Sequence, residues 1–254
     1  MSNLYEKHNY LNKDIKILCN TYINEYDMKA GGYSILKRKN ALSDFEIDYL
    51  EKCTKMERNI YLGNKVRECP ALNKMQIEGF VEARQMFFEA NNIEDNSVLS
   101  IKKDAIFLIK KNVPITELDG LTFRLANVYN SYYYINGIEF YYKSSSNKID
   151  VKGIGDNLYL HENHFLKDLA TIFGLAEKNN KEFLIKYLKR YRRKYLRREL
   201  DIECYREFNQ DSMFRYKDPL SGNYILSESE VDVDNIEIGY NYMNYIVPLI
   251  SYYL

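Results

Sequence analysis

Tryptophan is absent from the 254 residues of this chain, and histidine (three residues), proline (four) and cysteine (four) are scarce. The cysteines lie far apart and form no C-x-x-C pair, which argues against a disulfide framework and favours a reduced, cytoplasmic protein with free thiols. The sequence has no apolar run long enough to cross a bilayer, and no basic start followed by an apolar secretion segment. We therefore expect a cytoplasmic protein with no membrane partner.

The formal net charge is zero, because 36 lysines and arginines balance 36 aspartates and glutamates. This balance argues against a general nucleic-acid binder, but the charges are unevenly placed: residues 185–200 are densely basic and residues 227–238 are acidic. Hydrophobic residues make up 46% and charged residues 28%, which is typical of globular proteins. The length allows one large domain or two small ones.

The N-terminal third of the chain predicts a helix, a strand and a second helix. Residues 5–20 are interpreted as a helix, and "TYINEYDMKA" as a strand that ends at Asp27 before two glycines. A long helix is expected to begin at Ser43, where Glu46 completes a capping box, and to end at Pro70.

The rest of the chain changes from helix to strands and back to helix. "NKMQIEGFVEARQMFFEANNI" is the strongest helical pattern and is expected to end at Asn91. Four β-rich segments follow, with a hairpin turn at Asn136-Gly137. A helical pattern runs from Gly155 to about Phe208, and the apolar C-terminal segment "YNYMNYIVPLISYYL" is a candidate surface for a protein partner. This order predicts an α+β fold.

Two aspartates are candidate metal ligands. Asp27 ends a strand, and Asp104 lies in the hairpin pattern "VLSIKKDAIFLIKK". Two-metal phosphoryl transfer needs carboxylates from separate strands that converge on one spot, so these two positions could build such a site. Each residue also has a simpler interpretation, an Asx-turn for Asp27 and a solvated hairpin charge for Asp104.

Five segments in order resemble the palm of a template-directed DNA polymerase, most closely the B family. "DMKAGGYSI" is similar to its motif A (D-x-x-S-L-Y-P-S-I), and "KKDAIF" is similar to its motif C (D-T-D-S-I-F). "LTFRLANVY", "YYINGIEFYY" and "KIDVKGI" follow, similar to the L-x-F-E-K-V-Y segment, the aromatic hairpin and the L-D-x-K-G-I segment of that family. The A family offers a comparable motif A aspartate, so the family stays open.

The resemblance implies an antiparallel palm-like sheet with helices on one face, in a compact form of the kind found in phages or mobile elements. Residues 1–155 would be the palm-like domain, with a helical fingers-like insertion at about 43–92, and residues 156–254 would be a helical thumb-like and C-terminal region. The implied activity is that of a nucleotidyltransferase dependent on Mg²⁺ or Mn²⁺. Its implied partners are nucleoside triphosphates and a primer–template or single strand.

The resemblance also assigns roles to individual residues, with Asp27 and Asp104 as catalytic metal ligands. Lys102 replaces the first aspartate of motif C, and there is no K-x-x-x-N-S-x-Y-G fingers motif. Gly32 stands where the family has the tyrosine that packs against the sugar, and Tyr33 follows it. The candidates for binding the triphosphate are Lys55, Arg58, Lys65 and Arg67.

The basic segment predicts a helix with two different faces. An apolar stripe repeats at helical spacing, and no acidic residue lies between Glu182 and Glu199. Because a merely solvated face usually mixes charges, we expect contact with nucleic-acid phosphates. The basic face consists of Lys186, Lys189, Arg190, Arg193, Lys194 and Arg197.

Two alternatives stay open. The spacing of His161 and His164 suits a zinc ligand pair, but a surface pair is favoured because no further histidine or cysteine is nearby. The chain as a whole could instead be a non-catalytic nucleic-acid-binding accessory or scaffold protein with a degenerate palm. Its basic helix would then bind phosphates and its tyrosine-rich sheet would stack on bases, without chemistry at the two aspartates.

Overall fold

The computed structural model describes residues 3–135, 137–153, 160–178, 181–200, 216–217, 224–225, 246, 248–249 and 251–253. The strands are β1 (Asn9–Leu11), β2 (Ile17–Leu18), β3 (Ile23–Met28), β4 (Val98–Lys102), β5 (Ala105–Ile109), β6 (Glu117–Leu118), β7 (Leu121–Tyr129), β8 (Ser131–Ile135), β9 (Ile138–Lys143), β10 (Lys148–Lys152), β11 (Tyr216–Lys217) and β12 (Tyr224–Ile225). The helices with defined bounds are α1 (Gly31–Arg38), α2 (Asp44–Lys52), α3 (Lys55–Glu68), α4 (Pro70–Ala90), α5 (Leu160–Glu177) and α6 (Lys181–Leu196). The predicted α+β class is confirmed.

The chain forms two compact units. The first comprises Met1–Ile15 and Thr21–Val128, and the second comprises Lys16–Asn20 and Tyr129–Leu254. The predicted boundary at residue 155 therefore lies inside the second unit. The difference arises because β8, β9 and β10 pair with β2 in a sheet of their own instead of extending the first sheet.

The first unit is built on an antiparallel sheet with the strand order β1-β4-β5-β3-β7-β6. Helix α4 packs on one face of this sheet, where Phe80 and Phe87 join a buried cluster with Tyr26 and Ile106. Gly79 allows α1 to approach α4, because a Cβ at this position would overlap Cγ2 of Ile35. The C-terminal half of α4 thus belongs to the core of this sheet, so the segment 43–92 that was predicted as an insertion includes part of that core.

Two helices occupy the segment where a single helix was predicted from Ser43 to Pro70. The Ser43–Glu46 capping box is confirmed, with the Glu46 backbone N–H donating to Ser43 Oγ at 3.3 Å. A second capping box at Thr54 and Glu57 starts α3, because Thr54 takes an extended conformation and ends the continuity with α2. Pro70 begins α4, at a position where a missing N–H costs nothing.

The predicted N-terminal helix over residues 5–20 is wrong. Only Leu4–Glu6 form a short 3₁₀ turn, and β1 and β2 follow it. Strand β1 pairs with β4, the partner of Tyr10 being Ile101, while β2 pairs with β8 of the second unit. Pairing with strands distant in sequence overrides the local helical pattern.

The second unit packs α5 and α6 against the sheet ordered β10-β9-β8-β2. The predicted hairpin is confirmed in its pairing, since β8 and β9 are antiparallel and Gly137 has a φ of 84°. Ile246 and Leu249 of the apolar C-terminal segment are buried in this unit's own core. Among the helices that the structure describes, none is long and apolar enough to span a membrane.

Candidate active site

A cavity of about 720 Å³ opens in the first unit where β3 ends, α1 begins and the β4–β5 turn approaches. Helices α3 and α4 form its other walls. Its lining combines acidic, basic and amide side chains with small residues: Asp27, Met28, Lys29, Ala30, Gly31, Gly32, Tyr33, Lys55, Arg58, Asn59, Leu62, Gly63, Val66, Asn73, Gln76, Phe80, Lys103, Asp104 and Arg124. Five of these side chains are cationic and two are carboxylates, so the cavity favours anionic ligands.

The two predicted aspartates both line this cavity, Asp27 from strand β3 and Asp104 from the turn between β4 and β5. Asp27 in β3 pairs with Ala105 in β5, and the Met28 backbone N–H donates to the carbonyl of Asp104 at 3.2 Å. A Cβ built on Gly31 would lie 3.4 Å from Asp104 Oδ2, which places this carboxylate beside the start of α1. The structure therefore brings together the two residues that the motif A and motif C segments single out, while their binding of a metal stays a prediction.

The electrostatic environment of Asp104 suits a cation. Burial raises the pKa of Asp104, and the negative charge of Asp27 raises it further. Its own backbone N–H, Lys103 and Lys55 act in the opposite direction. A divalent cation between the two carboxylates would relieve both the burial cost and the repulsion. Asp104 is half-buried and lines a cavity, whereas a solvated hairpin charge would be fully exposed.

Arg124 is a site residue that the sequence analysis missed. It lies on β7, and its Nη2 donates to Asp27 Oδ2 at 3.0 Å. Asp27 is thus part of a strand and has a side-chain partner, so the Asx-turn interpretation is wrong. The signal in "LTFRLANVY" was an arginine among strand-forming residues. Nothing in that segment indicated which acid would lie opposite it.

Asp27 and Asp104 are too few for a metal site made of protein ligands alone, but they could hold a magnesium-type ion together with phosphates. Within the described part of the chain, no group of three or more histidine, cysteine, aspartate or glutamate side chains could hold a metal. Mg²⁺ in nucleotide-dependent enzymes is commonly held by one or two carboxylates together with substrate phosphates, and Asp27 and Asp104 supply that number. Lys102 replaces the first aspartate of motif C, so this motif adds no third carboxylate to Asp27 and Asp104. His161 and His164 lie near the N-terminal end of α5, but their side chains are outside the described residues.

Helix α3 turns one face towards the cavity. Lys55, Arg58 and Asn59 lie on this face, and the first two agree with the predicted triphosphate-binding set. Lys65 and Arg67 do not line the cavity: Lys65 forms an ion pair with Glu46 of α2. Arg67 is exposed on another face of the helix. The prediction for Lys65 and Arg67 is corrected by their position on the helix. Residues of α3 that line the cavity recur every three or four positions on one face, and residues 65 and 67 lie on other faces.

The same face of α3 carries part of the pattern of the fingers motif, although the complete motif is absent as stated above. Lys55, Asn59 and Gly63 have the spacing K-x-x-x-N-x-x-x-G, so the lysine, asparagine and glycine of that motif are present in order. Ile60 and Leu62 replace its serine and tyrosine. The complete motif is absent from the sequence. The three residues that match it, Lys55, Asn59 and Gly63, all line the cavity.

Neither Gly31 nor Gly32 has the positive φ of a left-handed turn. Gly31 and Gly32 begin α1, and the residue with a φ of 50° is Ala30. Gly32 instead provides space, since a Cβ there would lie 2.7 Å from Gln76 Nε2. The following ring of Tyr33 lies beneath the Arg58 guanidinium, with 5.1 Å between Cζ and the ring centroid. Both residues predicted to contact the sugar therefore lie at the cavity wall.

Helix α6 in the second unit has the two faces that its sequence predicts. Its apolar stripe is buried and consists of Leu184, Leu188, Tyr191 and Tyr195. Lys186, Lys189, Arg190, Arg193 and Arg197 are exposed, and Lys194 is half-buried. Lys186 pairs with Glu182, and Arg197 approaches Glu199 at 3.8 Å. The opposite face thus remains strongly basic.

Comparisons with known proteins identify a family without an activity. A search of the curated proteins gives no match. A family of phage proteins, described as "Bacteriophage PBS1 gene 130 protein", has a sequence model that matches residues 1–254. This description supports the predicted viral origin and says nothing of a polymerase. Because the match extends over all of the sequence, the chain belongs to the bacteriophage PBS1 gene 130 protein family.

Proposed function

We propose that this phage protein is a metal-dependent nucleotidyltransferase that extends a nucleic-acid strand on a template, alone or as part of a complex. The observation that carries the proposal is the cavity itself. It joins Asp27 of β3 and Asp104 of the β4–β5 turn with Lys55, Arg58 and Asn59 on one face of α3. A cation–triphosphate complex requires carboxylates for the cation and basic side chains for the phosphates, and this cavity has both.

The residues of the cavity would have different roles, some binding the cation and others the phosphates. Asp27 and Asp104 would hold Mg²⁺ or Mn²⁺, which would neutralise charge on the reacting phosphates. Lys55 and Arg58 would bind the outer phosphates by charge-assisted hydrogen bonds. Arg58 also donates to the carbonyls of Leu50 and Cys53, so its guanidinium has a fixed position.

Template-directed incorporation tests the proposal. The purified protein is incubated with Mg²⁺ or Mn²⁺, a primed DNA or RNA template and one labelled nucleotide at a time. The proposal predicts that the nucleotide complementary to the next template base is added preferentially. No incorporation on either template, with or without an extract of phage-infected cells, would refute it.

A specific observation favours the non-catalytic alternative. The negative charge of Asp27 is already balanced by Arg124, and Lys102 replaces the acid that would have completed motif C. A degenerate palm that only binds nucleic acid would have such features. In that case, metal ions would change neither the stability of the protein nor its affinity for a strand.

Helix α6 is proposed to contact nucleic-acid phosphates in either case. Replacing Arg190, Arg193 and Arg197 by glutamine should weaken duplex binding and reduce the dependence of log K on log salt concentration. The expected change in slope is about 0.9 for each phosphate that the variant no longer neutralises. Fluorescence anisotropy at several salt concentrations measures both quantities.

Lysines on the first unit offer a matched control for this triple variant. Lys7, Lys52 and Lys74 are exposed and lie outside the cavity, so their replacement by glutamine removes the same charge. The slope should change much less in this control. Equal changes in the two triple variants would mean that net charge, and not the face of α6, determines binding.

Gly32 is expected to permit poor discrimination between ribonucleotides and deoxyribonucleotides. The resembling family has a bulky residue at this position, which collides with the 2′-hydroxyl of a ribonucleotide. A site without a bulky side chain there cannot exclude this hydroxyl by collision. Gly32→Tyr should therefore sharpen the discrimination, with displacement of the Gln76 amide that lies beside it. The ratio of kcat/KM for the two nucleotides measures the effect.

Gly32→Ala is the matched control, because it adds only the Cβ and is compatible with the helical backbone of α1. Its ratio should stay close to that of the wild type. A wild-type protein that already rejects ribonucleotides strongly would contradict the assignment, and Tyr33 would then be the residue to replace.

A further inference from the structure

Arg124 links strand β7 to the candidate cation site. It extends from β7 to Asp27 in the neighbouring strand β3, and the two strands are held together nearby by the Lys29 N–H, which donates to the Thr122 carbonyl at 2.8 Å. The same guanidinium lines the cavity with Lys55 and Lys103. Arg124 is therefore both a partner of one candidate metal ligand and part of the anion-attracting wall.

The ion pair between these residues is exchangeable. The Arg124 side chain is 56% exposed and that of Asp27 is 24% exposed, so water reaches both partners. Exposed ion pairs contribute little net stability, because solvent screens the attraction and the long side chain loses freedom. The arginine can therefore leave Asp27 without disturbing the strand that carries it.

A divalent cation at Asp27 would compete with this guanidinium. Both are attracted to the same carboxylate oxygens, and two positive groups at one carboxylate repel each other. Once displaced, Arg124 would still lie in the cavity, where its planar fork of donors suits a phosphate group. The displacement would thus provide an additional ligand for the triphosphate.

We propose that Arg124 occupies the cation site of Asp27 in the unloaded protein and becomes a phosphate-binding residue when a divalent cation displaces it. This inference rests on the proposed cation site at Asp27 and Asp104. It goes beyond the motif resemblance, which assigns no role to Arg124. It predicts opposite effects of one substitution on two ligands, which a purely structural arginine would not produce.

The full-length protein is titrated with Mn²⁺ alone and, separately, with inorganic tripolyphosphate in the presence of saturating Mg²⁺. Arg124→Gln is expected to bind Mn²⁺ about three- to tenfold more tightly, because the competing charge is gone. The same variant should bind tripolyphosphate roughly tenfold more weakly, since it cannot form the charge-assisted hydrogen bond. Arg124→Lys should retain most of the tripolyphosphate affinity.

Two further variants make the test specific. Arg67→Gln removes the same charge from an exposed position outside the cavity and should change neither affinity. In an Asp27→Asn background, Arg124→Gln should no longer improve Mn²⁺ binding, because the shared carboxylate is gone.

The inference is overturned if folded Arg124→Gln binds Mn²⁺ no more tightly than the wild type, if both affinities fall together, or if the gain persists without Asp27. Failure of the wild type to bind Mn²⁺ would overturn it as well. The three outcomes for the variants leave template-directed incorporation untouched, whereas a wild type that does not bind Mn²⁺ would count against the proposed function as well. A protein that extends primers while Arg124→Gln has no effect would retain the proposed function and exclude this role for Arg124.

Discussion

Asp27→Asn and Asp104→Asn are each expected to reduce template-directed incorporation by about a thousandfold or more, which corresponds to roughly 4 kcal/mol of transition-state stabilisation. Asparagine keeps the shape of the side chain but does not carry the negative charge that would hold a divalent cation. Both carboxylates line one cavity, so neither variant leaves a complete site. Single-turnover incorporation with saturating nucleotide measures the reduction.

Asp119→Asn is the matched control for these variants. Asp119 is exposed, forms an ion pair with Arg38 away from the cavity, and has a φ of 45° that asparagine tolerates well. Its incorporation rate should stay close to that of the wild type. If the three variants are equally active, the chemistry does not involve Asp27 and Asp104, and the cavity has another role.

A second readout separates loss of the cation from loss of the fold. A cation that binds only the folded protein raises its melting temperature. Mn²⁺ should therefore stabilise the wild type and Asp119→Asn, but not Asp27→Asn or Asp104→Asn. In the absence of metal, Asp104→Asn should be at least as stable as the wild type, because burial and the charge of Asp27 both disfavour the ionised carboxylate.

Arg84→Met is expected to destabilise the first unit by about 3 kcal/mol or more. Arg84 is fully buried in α4, and its guanidinium donates from Nε to the Tyr5 carbonyl at 2.7 Å and from Nη1 to the Lys103 carbonyl at 2.6 Å. Methionine preserves apolar volume but leaves both carbonyls without their charged donor. Equilibrium unfolding in urea, with an unchanged m-value, measures the loss of stability.

This arginine matters for the site because it holds the β4–β5 turn that carries Asp104. Burial lowers the pKa of Arg84 to about 10, while the charge of Asp104 acts in the opposite direction, so the guanidinium is still protonated at neutral pH. Arg67→Met, at an exposed position, should change stability by less than about 0.5 kcal/mol. A similarly small effect of Arg84→Met would mean that the two hydrogen bonds do not hold the turn.

Much of the first sheet could be predicted from local patterns. The strand ending near Asp27, the β4–β5 hairpin and the Ser43 capping box all depend on residues close in sequence. The helix predicted over residues 5–20 failed because β1 and β2 are stabilised by strands about a hundred residues away. The break at Thr54 could have been found, since Thr54 and Glu57 repeat the capping pattern of Ser43 and Glu46.

The candidate site was predictable to a similar extent. Asp27, Asp104, Lys55 and Arg58 line the cavity, and sequence motifs or charge indicated all four. Arg124 was missed because its role depends on the neighbouring strand, which no local pattern identifies. Lys65 and Arg67 were included because charge was considered without the helix face on which it lies.

A crystal of the protein grown with Mn²⁺ and a non-hydrolysable nucleoside triphosphate analogue would test the central claim most directly. The account predicts an anomalous difference peak within about 2.0–2.3 Å of carboxylate oxygens from both Asp27 and Asp104. The triphosphate should lie between this peak and Lys55 and Arg58 on α3. A cavity without Mn²⁺ under these conditions, or a peak that contacts neither aspartate, would contradict the account.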